Sequence, residues 1–108
     1  MEVQTEATIE DLYREPGKAE LVGGRIIRYM ATGEIPGWVS ARILRRMADF
    51  AEQHMLGCVY GDNVGFTIKK LRSGRQSFSP DVGFLSGPRR KSMKFIDIAP
   101  TFAVEVRS

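Results

Sequence analysis

Ser79-Pro80-Asp81-Val82-Gly83-Phe84-Leu85 and, after a basic connector, Thr101-Phe102-Ala103-Val104-Glu105-Val106-Arg107-Ser108 are the stretches on which the fold turns. Each is a short apolar run carrying one carboxylate where a strand ordinarily buries an apolar side chain. In the first, Phe78, Pro80, Val82 and Phe84 fall on one side of a period-2 pattern, and Ser79, Asp81 and Gly83 on the other. In the second, Phe102, Val104 and Val106 share a side, and Thr101, Ala103, Glu105 and Arg107 take the opposite one. Each strand thus keeps its bulk on one face and sets its acid among small residues on the other. If the two strands are neighbours, Asp81 and Glu105 converge, and two converging carboxylates suit a hard divalent cation such as Mg²⁺. Pro80 offers no N–H to a ladder, which predicts an edge or irregular strand for the first run.

Upstream, Thr8-Ile9-Glu10-Asp11-Leu12-Tyr13-Arg14 predicts a short helix with Thr8 as N-cap and acids in its first turn. Glu20 to Tyr29 predicts a hairpin, because two apolar runs flank Gly23-Gly24, a pair able to take the positive φ angles of a tight primed turn. By pattern alone, Glu20 reads equally as a strand residue facing solvent and as a functional acid. From Trp38 to His54 the period becomes helical: Val39, Ile43, Met47, Phe50 and His54 recur at steps of three and four. Trp38 and this stripe are expected in the core, and His54 at the helix end, interacting with terminal carbonyls. Cys58-Val59-Tyr60, a Gly61-Asp62-Asn63 turn and Val64 to Ile68 predict a second strand pair or one bent strand.

A length of 108 residues bounds the chain to one small domain, and 43% apolar with 27% charged residues is the make-up of a globular protein. No apolar run approaches the roughly 20 residues needed to span a bilayer. The first residues lack the basic and apolar regions of a secretory signal, and the single Cys58 excludes an internal disulfide; a cytoplasmic setting is expected. The net charge of +3 is mild but uneven, with Arg89, Arg90, Lys91 and Lys94 clustered between the two decisive stretches. Such a cluster suits an anionic partner such as nucleic acid, and equally a solvated surface.

Hydrolysis of a phosphodiester calls for a metal that offsets phosphoryl charge and lowers the pKa of a bound water, helped by a nearby cation. Asp81 and Glu105 are of the right type for ligands, and Arg107 follows Glu105 on the same strand face. Three stretches add a family resemblance. Glu20-Leu21-Val22-Gly23-Gly24-Arg25-Ile26-Ile27, Gly61-Asp62-Asn63-Val64-Gly65-Phe66 with Ser79-Pro80-Asp81-Val82-Gly83-Phe84, and Ala99 to Ser108 resemble, in order and spacing, the hairpin, Pro-Asp strands and Glu-Val-x-Ser strand of the Uma-type restriction endonucleases. That family is a branch of the PD-(D/E)xK nuclease superfamily.

The resemblance implies an α/β (α+β), restriction-endonuclease-like fold over residues 1–108: a mixed central sheet, a short N-terminal helix and one long helix. It implies Mg²⁺ (or Mn²⁺) on Asp81 and Glu105, with Glu20 as a further acid, Arg107 beside them, and DNA as substrate. Arg89, Arg90, Lys91 and Lys94 would hold the nucleic acid. Three departures bear on this expectation. Arg107 stands where the superfamily has lysine, and an arginine binds anions but does not act as a base. The lysine of this branch is expected from a helix following Ser108, so the chain reads as a partial domain without its C-terminal helix and strands. Ile35-Pro36-Gly37-Trp38 stands where the family often has a histidine. Self-association across an uncovered sheet is therefore expected, and the alternative to a nuclease is a catalytically defective fragment that binds nucleic acid or serves structurally.

Overall fold

Local chemistry alone accounts for the first elements. The computed structural model describes residues 5–107. Helix α1 (Ile9–Tyr13) opens with a capping box: Asp11 N–H donates to the Thr8 hydroxyl at 3.2 Å, and Thr8 N–H to the Asp11 carboxylate at 2.8 Å. Leu12 is its buried contact with the body of the protein. Strands β1 (Ala19–Val22) and β2 (Arg25–Arg28) form the expected hairpin, with Val22 opposite Arg25 across the two glycines. Gly23 and Gly24 have φ of 58° and 73°, the left-handed pair that a two-residue primed turn needs.

Helix α2 (Glu34–Gln53) begins four residues ahead of the expected Trp38. Pro36 is accommodated because it falls in the first turn, where the backbone N–H groups have no partner within the helix. His54 closes the helix as expected, with its ring 4.3 Å from that of Phe50. The apolar stripe through Val39, Ile43 and Met47 is half-buried. Trp38 and Phe50, by contrast, are not core: they are 60% and 58% exposed, and the Arg42 guanidinium lies 4.9 Å from the Trp38 ring. Periodicity identifies one face of a helix but not how far its ends extend past the layer beneath.

The remaining strands are β3 (Gly57–Tyr60), β4 (Phe66–Thr67), β5 (Ser77–Phe78), β6 (Val82–Ser86) and β7 (Phe102–Val104). They pair as β3-β6-β7 and β4-β5, every strand pair antiparallel, with β1-β2 as a third sheet. A parallel bridge joins Phe66 to Ile96. This mixed α and β content is compatible with the restriction-endonuclease-like fold. Two local expectations are corrected. Cys58–Tyr60 pairs with β6 rather than with the Val64–Ile68 segment. Pro80 precedes β6 instead of lying in it, so the strand starts at Val82 and runs centrally between two partners.

The hairpin is fastened to the rest by non-local bonds. Gly23 N–H donates to Gly74 O at 2.7 Å, Gln76 N–H to Leu21 O at 2.9 Å, and Leu21 N–H to the Ser77 hydroxyl at 2.7 Å. Phe66, Leu85 and Ile96 form the central cluster, with Tyr60 and Val64 packed against it. At the α2–β3 corner, a Cβ on Gly57 would sit 2.2 Å from Leu85 O and 2.8 Å from Ser86 Cα. Both are backbone atoms of the paired strand, so relief requires the strands to part. Gly57→Ala is expected to cost about 2 kcal/mol, readable as a fall in the thermal midpoint of roughly 10 °C.

Candidate active site

The antiparallel register of β6 and β7 sets Val82 opposite Val104. One step outward, Asp81 comes opposite Glu105, and the two acids leave the ladder side by side. The Asp81 carboxylate is held by the facing chain: Val106 N–H donates to its Oδ2 at 2.6 Å. Both acids line a cleft of about 620 Å³ between the sheet and the start of α2. The conditional expectation of neighbouring strands with converging acids is thereby met.

Glu20 is placed differently from a solvent-facing strand residue. It is 4% exposed and does not line the cleft. Its Oε1 accepts from the Tyr29 hydroxyl at 2.6 Å and from Arg75 Nη1 at 2.8 Å, and its Oε2 accepts from Ser79 N–H at 2.8 Å. Burial works against the charge, but these donors outweigh it and hold the carboxyl below the usual range. Glu20 therefore grips Ser79, two residues ahead of Asp81, and fixes the approach of the chain to the cleft. Arg107, on the same strand side as Glu105 in the sequence pattern, is exposed and outside the cleft lining. Ser108 lies outside the described residues.

Lys18 and Asp62 join the cleft without having been singled out from the sequence. Lys18 Nζ bonds Asp62 Oδ1 at 2.6 Å, lies 3.6 Å from Asp81 Oδ1, and stands 5.4 Å from the centre of the Tyr29 ring. Asp62 belongs to the expected Gly-Asp-Asn turn, where Asn63 has φ of 73°. That turn was a visible signal for a loop acid; nothing local marks Lys18.

The cleft's charges act on each other. Burial raises the Glu105 carboxyl above its ordinary value, and repulsion from Asp81 adds to the rise, while Lys18 opposes it. Burial likewise disfavours the Lys18 ammonium, yet its bond to Asp62 and the attraction of Asp62, Asp81 and Glu105 prevail and raise it. A divalent cation would favour the charged form of the raised Glu105 carboxyl. Among the described residues no group of three or more His, Cys, Asp or Glu is gathered around a point. Two carboxylates still fit Mg²⁺, which takes one or two protein oxygens and completes its shell with water and phosphate. His54 and Cys58 lie outside the cleft lining, so its donors are hard oxygens.

The basic connector leads away from β6 on the surface, and Arg89, Arg90, Lys91 and Lys94 are all exposed. Arg90 is ion-paired with Asp97. Arg90 and Lys94 line a second groove of about 790 Å³ with Tyr13, Tyr60 and Phe95. Asn63 lines both this groove and the acidic cleft, so it borders the two concavities.

A mixed α and β chain with paired carboxylates where two antiparallel strands meet a cleft is compatible with the restriction-endonuclease-like class. The pattern of the Uma2 family, described as "putative restriction endonuclease", matches residues 7–108, and the chain belongs to that family. A restriction endonuclease acts on DNA. Among curated proteins, none matches the chain. No helix among the described residues is long and apolar enough to cross a membrane.

Proposed function

We propose that the chain carries the metal-binding carboxylates of a Mg²⁺-dependent endonuclease site that hydrolyses DNA phosphodiester bonds. The observation that carries this is the β6–β7 register, which sets Asp81 opposite Glu105 in one cleft. Asp81 and Glu105 would hold the ion; when bound, it offsets phosphoryl charge and lowers the pKa of a coordinated water. The Val106 amide keeps Asp81 oriented, and Glu20 holds the Ser79 amide so that the segment entering β6 does not drift. The duplex would run from the acidic cleft across Asn63 into the groove bearing Arg90 and Lys94, with Arg89 and Lys91 beside it. Lys and Arg there take phosphates as point charges and forks, without reading sequence.

Relaxation of supercoiled plasmid in Mg²⁺ or Mn²⁺, with chelator and with Asp81→Ala as controls, tests the reaction. Cleavage that survives both controls would remove the proposed site. The basic groove has its own readout. Replacing Lys91 and Lys94 together by alanine is expected to flatten the slope of log affinity for duplex DNA against log salt by about 2, measured in Ca²⁺. An unchanged slope would take those lysines out of the interface.

A further inference from the structure

We propose that Lys18 is the substrate-facing cation of the acidic cleft, sharing Asp81 with the metal and turned toward the phosphate once the metal is bound. The inference rests on the endonuclease reading above. Among the described residues lining the cleft, Lys18 is the only lysine or arginine. Arg107, which the sequence offers for an anion-stabilising role, is outside that lining.

The geometry is unequal in a useful way. Lys18 Nζ makes its hydrogen bond with Asp62 at 2.6 Å, whereas Asp81 Oδ1 is 3.6 Å away, beyond hydrogen-bond length. Asp62 is thus the anchor, and Asp81 is only leaned upon, so its outer oxygen remains open to another cation. The Tyr29 ring limits the retreat of the ammonium, and that ring is fixed through its hydroxyl bond to Glu20. The Lys18 side chain is 19% exposed, so it is partly shielded from water and its charge acts with less screening than on an open surface. An ordinary surface ion pair would account for Lys18 and Asp62 alone. It does not account for a second acid at 3.6 Å that also receives the backbone amide of Val106, next to Glu105 just past β7.

Two consequences follow from like charges sharing one carboxylate. Lys18 would compete with a metal for Asp81, and so would weaken metal affinity. Still tethered by Asp62, its ammonium would offer positive charge to an anionic substrate in the cleft, and so would help the reaction. Removing it therefore moves the two quantities in opposite directions, which a merely structural residue would not do.

The test titrates Mn²⁺ alone into wild type, Lys18→Met and Lys18→Arg, with Asp81→Ala as the blank, and then measures plasmid relaxation at saturating Mn²⁺. Lys18→Met is expected to bind Mn²⁺ about tenfold more tightly and to cleave about 100-fold more slowly, with Lys18→Arg close to wild type in both. Unchanged or weaker Mn²⁺ binding by Lys18→Met overturns the proposal, and so does cleavage within about twofold of wild type at saturating Mn²⁺. If Lys18→Met fails to fold, Lys18→Gln keeps a polar head against Asp62 and supports the same comparison. If wild type binds Mn²⁺ but cuts nothing, the endonuclease reading fails and takes the substrate-facing role of Lys18 with it, whereas a wild type that cuts beside a Lys18→Met that cuts equally well overturns the role of Lys18 alone.

Discussion

Asp81→Ala is expected to lower Mg²⁺-dependent DNA cleavage by about 10³-fold, equivalent to roughly 4 kcal/mol of transition-state stabilisation. The substitution removes two things at once: a negative oxygen facing the cleft, and the acceptor for Val106 N–H. The second loss leaves a half-buried amide without its partner and costs stability of the order of 1 kcal/mol at the end of β7. Asp81→Asn separates them. Its side-chain carbonyl still accepts from Val106, so the β6–β7 junction stays closed, while the charge on the cleft side disappears. Plasmid relaxation and thermal unfolding, run on both variants, give the answer. The expected pattern is two inactive proteins, of which only the alanine variant is less stable. An asparagine variant that cuts like wild type would show that Asp81 holds the strand and not the metal.

Glu20→Ala is expected to be the most destabilising of the changes considered, by about 3 kcal/mol, or roughly 15 °C in the thermal midpoint. Loss of the carboxylate takes the acceptor from Ser79 N–H and from the Tyr29 hydroxyl, and leaves Arg75 Nη1 with Ser77 O at 3.2 Å. A buried amide left unsatisfied costs about 1–3 kcal/mol. The Arg75 contribution is discounted because its side chain is 31% exposed and water can take over part of the bond. The same change frees the segment entering Asp81, so cleavage should fall even though Glu20 does not line the cleft.

Glu20 also sets a direction of pH dependence. Its carboxyl is held below the ordinary glutamate value of 4.5, so the folded state binds that proton less readily than the unfolded chain. The stability it supplies is complete above 4.5 and drains away as the pH falls through the lower, folded value. Glu105 has the opposite sign. Its carboxyl is raised above 4.5 by burial and by Asp81, so its contribution is present below 4.5 and lost as the pH climbs through the raised value. Denaturant unfolding between about pH 6 and about pH 3 should therefore show wild type losing more stability on acidification than Glu20→Gln. Parallel losses in the two proteins would mean that the Glu20 network is not maintained in solution.

What was legible in the sequence is what short range decides. The Thr8–Asp11 cap, the Gly23-Gly24 turn and the long helix each follow from residues within a few positions of each other, and each is present. The paired acids were legible for a related reason: side-chain alternation is a local property of a strand, and it marked Asp81 and Glu105 as misfits. The errors came where partners had to be chosen. Cys58–Tyr60 had a nearby strand to pair with and took β6 instead, because strand order is decided by which faces can be buried together. Pro80 suggested an edge, yet β6 begins after it and is central. Trp38 reads as core from its size and its place beside the helical stripe, but it is exposed and lies against Arg42.

The sequence by itself determined the element types, the family, and the two carboxylates, since composition, periodicity and motif spacing are written along the chain. Tertiary structure alone decided how those acids are attended. It turned Glu20 from a surface residue into a buried clamp, left Arg107 outside the cleft, and brought Lys18 and Asp62 into it across 44 positions. The physical reason is that a carboxylate's role is set by the donors and charges within a few ångströms, and those are supplied by pairings between segments that no local pattern specifies.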